Sequence, residues 1–263
     1  MKSFLLFVLV ISIPIHYCCS SESAEFIDLG RFTPESINSI ISTSAKNSSG
    51  GQKVEEISSN FLGVPYLGFT LIGSEEKKEV LTINLSGLDC FTYLDYVEAL
   101  RHSSDFDSFK DRVRTVRYKN GIVEYGTRKH FFSDWPLFNS EYVKDVTSEI
   151  GGPSVKKERK LLNLKKDGSN YLPGIPVVAR EITYIPTESL NQDILNKLRT
   201  GDYIGIYSDN DGLDVSHTGI VIRESGTVYM RHASSRKENK KVLDEELLVY
   251  MKNKPGLVVY RPI

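Results

Sequence analysis

Cys90, His217 and His232 have the residue types and settings that covalent chemistry requires. Cys90 sits in Leu88-Asp89-Cys90-Phe91-Thr92-Tyr93-Leu94-Asp95-Tyr96-Val97-Glu98-Ala99-Leu100, where Leu94, Val97 and Leu100 recur at three-residue steps beside Tyr93 and Tyr96. That is helical periodicity. Asp89 is a preferred N-cap type, so the spacing predicts a helix starting at Cys90. A thiol there meets unpaired backbone N–H groups and the positive end of the helix dipole. Both favour the thiolate, which is the nucleophile. The competing reading is a buried structural cysteine.

A cysteine nucleophile needs a base to take its proton and return it to a leaving amine, and histidine suits both tasks. The chain has five histidines. His16 lies near the N-terminus, and His102 ends the cysteine helix, where a cation is explained structurally. His217 opens the strand-like stretch Ser216 to Ile222, and His232 ends Thr227 to His232. With Ser225-Gly226 as the turn, position 217 pairs near 234 and the two histidines lie almost side by side. One could then act as base while the other orients it, the logic of a triad. Two strand histidines satisfied by backbone are the structural alternative. A zinc site of Cys90, His217 and His232 is a weaker rival, because no clustered ligand spacing appears. No metal and no cofactor are expected.

The elements that must hold these residues are legible in part. Thr33-Pro34-Glu35-Ser36 opens a helix to Ile41, and Lys53 to Phe61 resumes helical spacing. Val80 to Leu85 alternates like a strand and ends just before the cysteine helix. Val113 to Tyr118 and Ile122 to Tyr125 flank Asn120-Gly121 and predict a hairpin. The segment 151–174, rich in Lys, Gly and Pro, reads as a surface insertion. Val177 to Tyr184 reads as a strand, Thr187 to Leu198 as a helix, and Lys241 to Lys252 as another. Tyr203 to Tyr207, Ser216 to Ile222, Thr227 to His232 and Leu257 to Tyr260 read as strands. Helices first and antiparallel strands later predict an α+β fold with a helix packed on a sheet.

Length and charge bound the function. At 263 residues the chain can bury a substantial core, and 33 basic against 34 acidic residues leave a net charge of −1. No basic excess exists to neutralise phosphates, so nucleic acid is not an expected partner. Met1-Lys2 followed by the apolar run Phe4 to Ile11 reads as an export signal too short to span a bilayer. Residues 1–24 are therefore expected to be a signal peptide and short tether, and 25–263 one domain. Cys18 and Cys19 follow the apolar run, where a lipoprotein signal peptidase seeks its acceptor cysteine. Tyr17 before Cys18 and His16 three before Cys19 fit that poorly, so lipidation and simple cleavage both stay open. Either way the expected location is the periplasm or cell envelope, with Cys90 the sole thiol of the domain. Oligomeric state is not legible.

Gly63-Val64-Pro65-Tyr66, Asn84-Leu85 and Leu88-Asp89-Cys90-Phe91-Thr92 stand in order along the chain. Arg128-Lys129-His130 with Asp134-Trp135, then Tyr184-Ile185-Pro186, Ser216-His217-Thr218-Gly219 and His232-Ala233-Ser234, follow them. This series resembles the AmiA-like N-acetylmuramoyl-L-alanine amidases, a branch of the NlpC-type cysteine amidases of bacterial cell-wall metabolism. It covers about Phe61 to Ile263. Tyr93-Leu94-Asp95 departs from the Phe-Val-Glu expected there. The resemblance implies a papain-like NlpC-type core, with the catalytic helix packed on an antiparallel sheet. It implies hydrolysis of the amide between the lactyl group of N-acetylmuramic acid and L-alanine in muropeptides, by a Cys90–His217–His232 triad. Tyr66 is the implied second oxyanion donor, and Asp89 a helix cap supporting the site. Tyr125, Arg128, His130, Asp134 and Trp135 form the expected substrate patch, with arginine for carboxylates and an exposed indole for sugar rings. A γ-D-glutamyl–diaminopimelate endopeptidase and a catalytically dead wall-binding module are the alternatives.

Overall fold

Helix α3 forms because its first turn is capped twice over. The Asp89 Oδ1 accepts the Phe91 N–H (3.0 Å) and the Thr92 N–H (2.7 Å), while the Asp89 N–H donates to Thr92 Oγ1 (3.1 Å). That reciprocal pair is a capping box. The helix runs Cys90–Arg101 and is buried on all sides from Thr92 to Leu100. Its acidic residues are therefore paired. Asp95 Oδ2 accepts from Arg117 Nε (2.8 Å), and Glu98 accepts from Arg101 and from the Tyr203 hydroxyl (2.6 Å). Buried charges persist in such a place only when paired and hydrogen-bonded.

The computed structural model describes residues 24–263, so the expected signal segment and the choice between Cys18 and Cys19 lie outside the described residues. In chain order the main elements are β1 (Glu25–Asp28), α1 (Pro34–Ser44), α2 (Gly50–Ser59), β2 (Leu81–Asn84), α3 and α4 (Phe106–Arg117). Then follow β3 (Val143–Asp145), β4 (Lys156–Leu162), β5 (Val178–Pro186), β6 (Tyr203–Tyr207), β7 (Val215–Glu224), β8 (Thr227–Ala233), β9 (Val242–Glu246) and β10 (Gly256–Pro262). The large sheet has the order β4-β5-β10-β6-β7-β8-β9, with β3 also on β10, and every pairing is antiparallel. β1 and β2 form a small parallel pair.

One face of the large sheet packs on the helices. Tyr203, Tyr207, Ile220, Ile222 and Tyr260 share a core with Ile37, Ile57, Leu94, Val97 and Val113. The alternate residues Ile204, Ile206, Val221, Met230 and Val259 build a second core with Leu247 and Met251. This is the period-two division of a sheet buried on both faces. The β7–β8 turn is Ser225-Gly226 at φ 48° and 83°, the double left-handed geometry whose twist suits a two-residue hairpin loop. It fixes Ile220 opposite Arg231, and with it the histidine register.

Three expectations are corrected and one, the insertion at 151–174, gains detail. Val113 to Arg117 is the end of α4, with no hairpin around Asn120-Gly121. Phe109, Val113 and Val116 are buried at helical spacing behind an Asp105 cap, and Asn120 at φ 54° merely turns the chain out of the helix. Within 151–174, Lys156–Leu162 is a full edge strand on β5; its exposed lysines are the charge expected of an unpaired sheet edge. The helix expected over 187–198 shrinks to Gln192–Lys197, capped by Asn191 (Ile194 N–H to Oδ1, 3.0 Å). The helix expected over 241–252 is strand β9 followed by a single helical segment, Leu247–Met251. Its acidic run reads as a helix face, but two of those carboxylates bond to β8, Asp244 to Arg231 and Glu245 to His232.

Candidate active site

The sheet brings both histidines to the N-terminus of α3. Thr218, next to His217, donates its hydroxyl to the Cys90 carbonyl oxygen (2.8 Å), tying β7 to the first turn of the helix. Cys90 and His217 are half-buried and line one cavity of about 330 Å³ with Phe91, Phe132, Tyr171 and Leu213. A larger cavity of about 570 Å³, beside Lys160, Tyr184 and Tyr207, touches none of the three chemical residues.

His217 Nε2 and His232 Nδ1 lie 2.7 Å apart, their rings nearly perpendicular. The register explains the contact. Continuing the β7–β8 pairing sets Gly219 opposite His232, so His217 is its diagonal neighbour on the same face. Gly219 is closely packed, since a Cβ there would come within 2.7 Å of the Met230 side chain. At 2.7 Å the two nitrogens share a hydrogen bond and are not ligands to a common ion; among the described residues no three His, Cys, Asp or Glu side chains group to hold one.

Burial sets the resting protonation. It pushes the Cys90 thiol up to about 11, helped by the Asp89 carboxylate and opposed by the Thr218 N–H and hydroxyl. Desolvation and an adjacent anion thus outweigh the helix N-terminus, which the sequence led us to expect would favour the thiolate. Burial likewise drives His217 down to about 3, reinforced by His232, Lys254 and Arg236. The resting pair is a neutral thiol and a neutral imidazole.

Tyr66 lies where the chain crosses in front of α3, its N–H donating to the Lys240 carbonyl (2.8 Å) while Leu67 N–H bonds Leu88 (3.0 Å). Burial pushes its hydroxyl pKa up, with Cys90 and Asp89 adding to it, and the bridge from Tyr66 to Leu88 sets the residue beside the segment that leads into Cys90. Asp89 spends its side chain on the cap. That cap takes the Phe91 and Thr92 N–H groups and leaves the Cys90 N–H outside it.

The expected substrate patch divides. His130 lines the Cys90 cavity and also a neighbouring one of about 170 Å³, which Arg128, Asp134, Lys119 and Arg180 share. Burial lowers its pKa to about 4, its Nε2 is 2.9 Å from the Tyr125 carbonyl oxygen, and the Tyr125 ring packs edge-on against it. Arg128 is engaged, pairing with the buried Glu79 through Nε (2.9 Å) and Nη2 (2.6 Å). Asp134 pairs with Arg180 (3.0 Å). Trp135 is corrected outright. It is fully buried between Phe91 (5.9 Å) and Tyr203 (5.2 Å), so its indole stiffens the core beneath Cys90 and offers no face to a sugar.

Sequence reasoning missed Thr218, Glu245 and Tyr250. Glu245 Oε2 lies 3.1 Å from His232 Nε2, and the Tyr250 ring stands 5.8 Å from His217 and 5.1 Å from His232. Thr218 lay inside the quoted His-Thr-Gly motif and could have been found there. Glu245 and Tyr250 were hidden by the helix expected over their segment.

A cysteine at the start of a buried helix, packed on an antiparallel sheet that carries two adjacent histidines, defines an α+β class. Within it the chain belongs to the AmiA-like family, N-acetylmuramoyl-L-alanine amidase-like, whose family model matches residues 56–257. Among solved structures it is similar to an N-acetylmuramoyl-L-alanine amidase from Bacteroides uniformis. That protein is 27% identical at a TM-score of 0.69, with 82% of this chain and 100% of that one covered. A Legionella pneumophila protein of the DUF1460 family shares the fold at 23% identity and a TM-score of 0.75, over 88% of this chain and 94% of that one. A Bacteroides fragilis protein described as a putative xylanase is 27% identical at a TM-score of 0.63, over 78% and 98%. No curated protein matches significantly.

Proposed function

We propose that this chain is a cysteine amidase that hydrolyses the bond between the lactyl carbonyl of N-acetylmuramic acid and the L-alanine amine in peptidoglycan fragments. The observation that carries the reading is His217, which lines the same cavity as Cys90 and lies 2.7 Å from the buried His232, in a chain of this family. His217 Nδ1, left free by the Nε2 contact, takes the Cys90 proton as Sγ attacks the lactyl carbonyl. The oxyanion that forms is met by the Cys90 N–H and the Tyr66 hydroxyl. His217 then returns the proton to the alanine amine, the C–N bond breaks, and water attacks the thioester with His217 again as base. His232 holds the imidazole in its working orientation. The neutral resting pair suits this sequence, because proton transfer accompanies attack.

The aromatic and aliphatic wall of the cavity (Phe91, Phe132, Tyr171, Leu213) suits the apolar faces of a pyranose. The adjoining cavity offers Lys119 to the carboxylates of a stem peptide, its Arg128 and Arg180 being already paired with Glu79 and Asp134. The Phe4 to Ile11 run supports a place in the cell envelope, with Cys18 or Cys19 as the candidate lipid acceptor. Digestion of purified muropeptides followed by mass spectrometry tests the bond. Free stem peptide plus disaccharide is expected from the wild type and not from Cys90→Ala. A sugar still bearing L-Ala-D-Glu would instead assign the endopeptidase reaction.

A further inference from the structure

The hydrogen-bond path does not stop at His232. Its Nε2 lies 3.1 Å from Glu245 Oε2, and the other carboxylate oxygen is held by Arg236 Nη1 at 2.6 Å. The Arg236 guanidinium rests over the Tyr250 ring at 4.9 Å, and that ring packs on both imidazoles. On β9 Glu245 stands opposite Met230, which places it diagonal to His232 on the face His217 also occupies. The three side chains therefore run as one diagonal line across β7, β8 and β9.

This line dictates where the protons sit. A carboxylate only accepts, so His232 must carry its proton on Nε2 and present Nδ1 as an acceptor. That Nδ1 then requires a donor, which is His217 Nε2–H at 2.7 Å. The consequence is an unprotonated Nδ1 on His217, the nitrogen a general base needs. We propose that Glu245, clamped by Arg236, is a positioning residue that fixes the tautomer of both histidines and so delivers His217 as a base. This rests on the reading of Cys90 as nucleophile and His217 as base. The charged and titratable groups around the pair are Glu245 on the pair's own face of β9 and Asp244 on the other, Arg236 from the preceding loop, Tyr250 and Lys254 beyond it, and Cys90 across the cavity that His217 lines. Glu245 and Asp244 favour a proton on His232, Arg236 disfavours one on either ring, and Lys254 disfavours one on His217.

The test is Glu245→Gln in the full chain with 15N-labelled histidine. Arg236 can only donate, so it takes the new amide oxygen and turns the NH2 toward His232 Nε2. That reverses both tautomers and puts a proton on His217 Nδ1. We expect Nε2–H signals for both histidines in the wild type at pH 7 and Nδ1–H signals in the variant. On muropeptides kcat should fall about 100- to 1,000-fold, below the roughly 10⁴-fold loss that a wrong tautomer causes in a serine triad. KM should change less than about threefold, and Glu245→Asp, which keeps the charge, should recover kcat to within about tenfold of wild type. Should Glu245→Gln fail to fold, the wild-type tautomers and Glu245→Asp carry the decision. An Nδ1–H on His232 in wild type, or a folded Glu245→Gln with kcat within about threefold of wild type, overturns the proposal. The tautomer readout needs no substrate. Failure of the amidase reading would show as wild-type inactivity with the Nε2–H pattern intact, whereas failure of this inference would show in the pattern itself.

Discussion

Asp89 is asked to do two opposed things, and separating them gives a sharp prediction. As N-cap it holds the Phe91 and Thr92 N–H groups, yet its charge helps burial raise the Cys90 thiol to about 11 from an ordinary value of 9.0. Two pKa units correspond to about 2.7 kcal/mol against the thiolate. At pH 7.5 the thiolate fraction is then roughly 3 in 10,000, where an unperturbed thiol of pKa 9 would show about 3 in 100. Asp89→Asn keeps a cap of equal rank and removes the charge, so stability should move by less than about 1 kcal/mol. Burial, the larger cause, stays. Cys90 should therefore be alkylated by iodoacetamide about three to ten times faster at pH 7.5, because the thiolate is the reactive form. The rate for wild type should climb about tenfold per pH unit from 7 to 9. Peptide mass mapping reads Cys90 apart from Cys18 and Cys19. A wild-type rate that is already flat above pH 7, or an Asp89→Asn variant that reacts more slowly, would refute the reasoning.

Further outcomes follow from the same contacts. Thr218→Val removes the hydroxyl bonded to the Cys90 carbonyl, and should cost about 1 kcal/mol in chemical denaturation while lowering kcat more than it raises KM. Arg117→Ala strands the buried Asp95 and should destabilise by about 3–5 kcal/mol, read as a fall in urea midpoint with unchanged slope. Burial depresses His130 to about 4 in the fold, while the unfolded chain protonates it near 6.5. Its contribution is therefore fully present above pH 6.5 and is lost as pH falls toward 4, so His130→Gln should flatten the stability profile in that window.

The site was more legible than the elements around it. Asp89-Cys90 declared itself because a cap residue immediately preceded an apolar repeat, and the histidines because Ser225-Gly226 is a turn with one natural register. What failed was local and had one cause: tertiary pairing overrode short patterns. Val113-Arg114-Thr115-Val116 is rich in β-branched residues and precedes an Asn-Gly pair, yet the i, i+4, i+7 set of Phe109, Val113 and Val116 found a core to fill. The Asp244-Glu245-Glu246 run falls in a segment read as a helix until Arg231 and His232 of β8 are known to lie beside it. Glu245 was invisible for that reason, since its meaning depends on His232 across the strand. Trp135 misled in the opposite way. Beside Asp134 and downstream of two basic residues it resembles a surface patch, and only the packing of Phe91 and Tyr203 shows that it is core.

The central claim is that Cys90 is acylated by the lactyl carbonyl of the sugar. Rapid acid quenching of enzyme with a muropeptide, followed by intact-protein and peptide mass spectrometry, tests it directly. A transient adduct is expected on the Cys90 peptide with the mass of the N-acetylmuramyl acyl group and no amino acid attached. It should be absent in Cys90→Ala and should decay as free stem peptide accumulates. An adduct on Cys90 that retains L-alanine and D-glutamate, or steady release of stem peptide by Cys90→Ala, would contradict it.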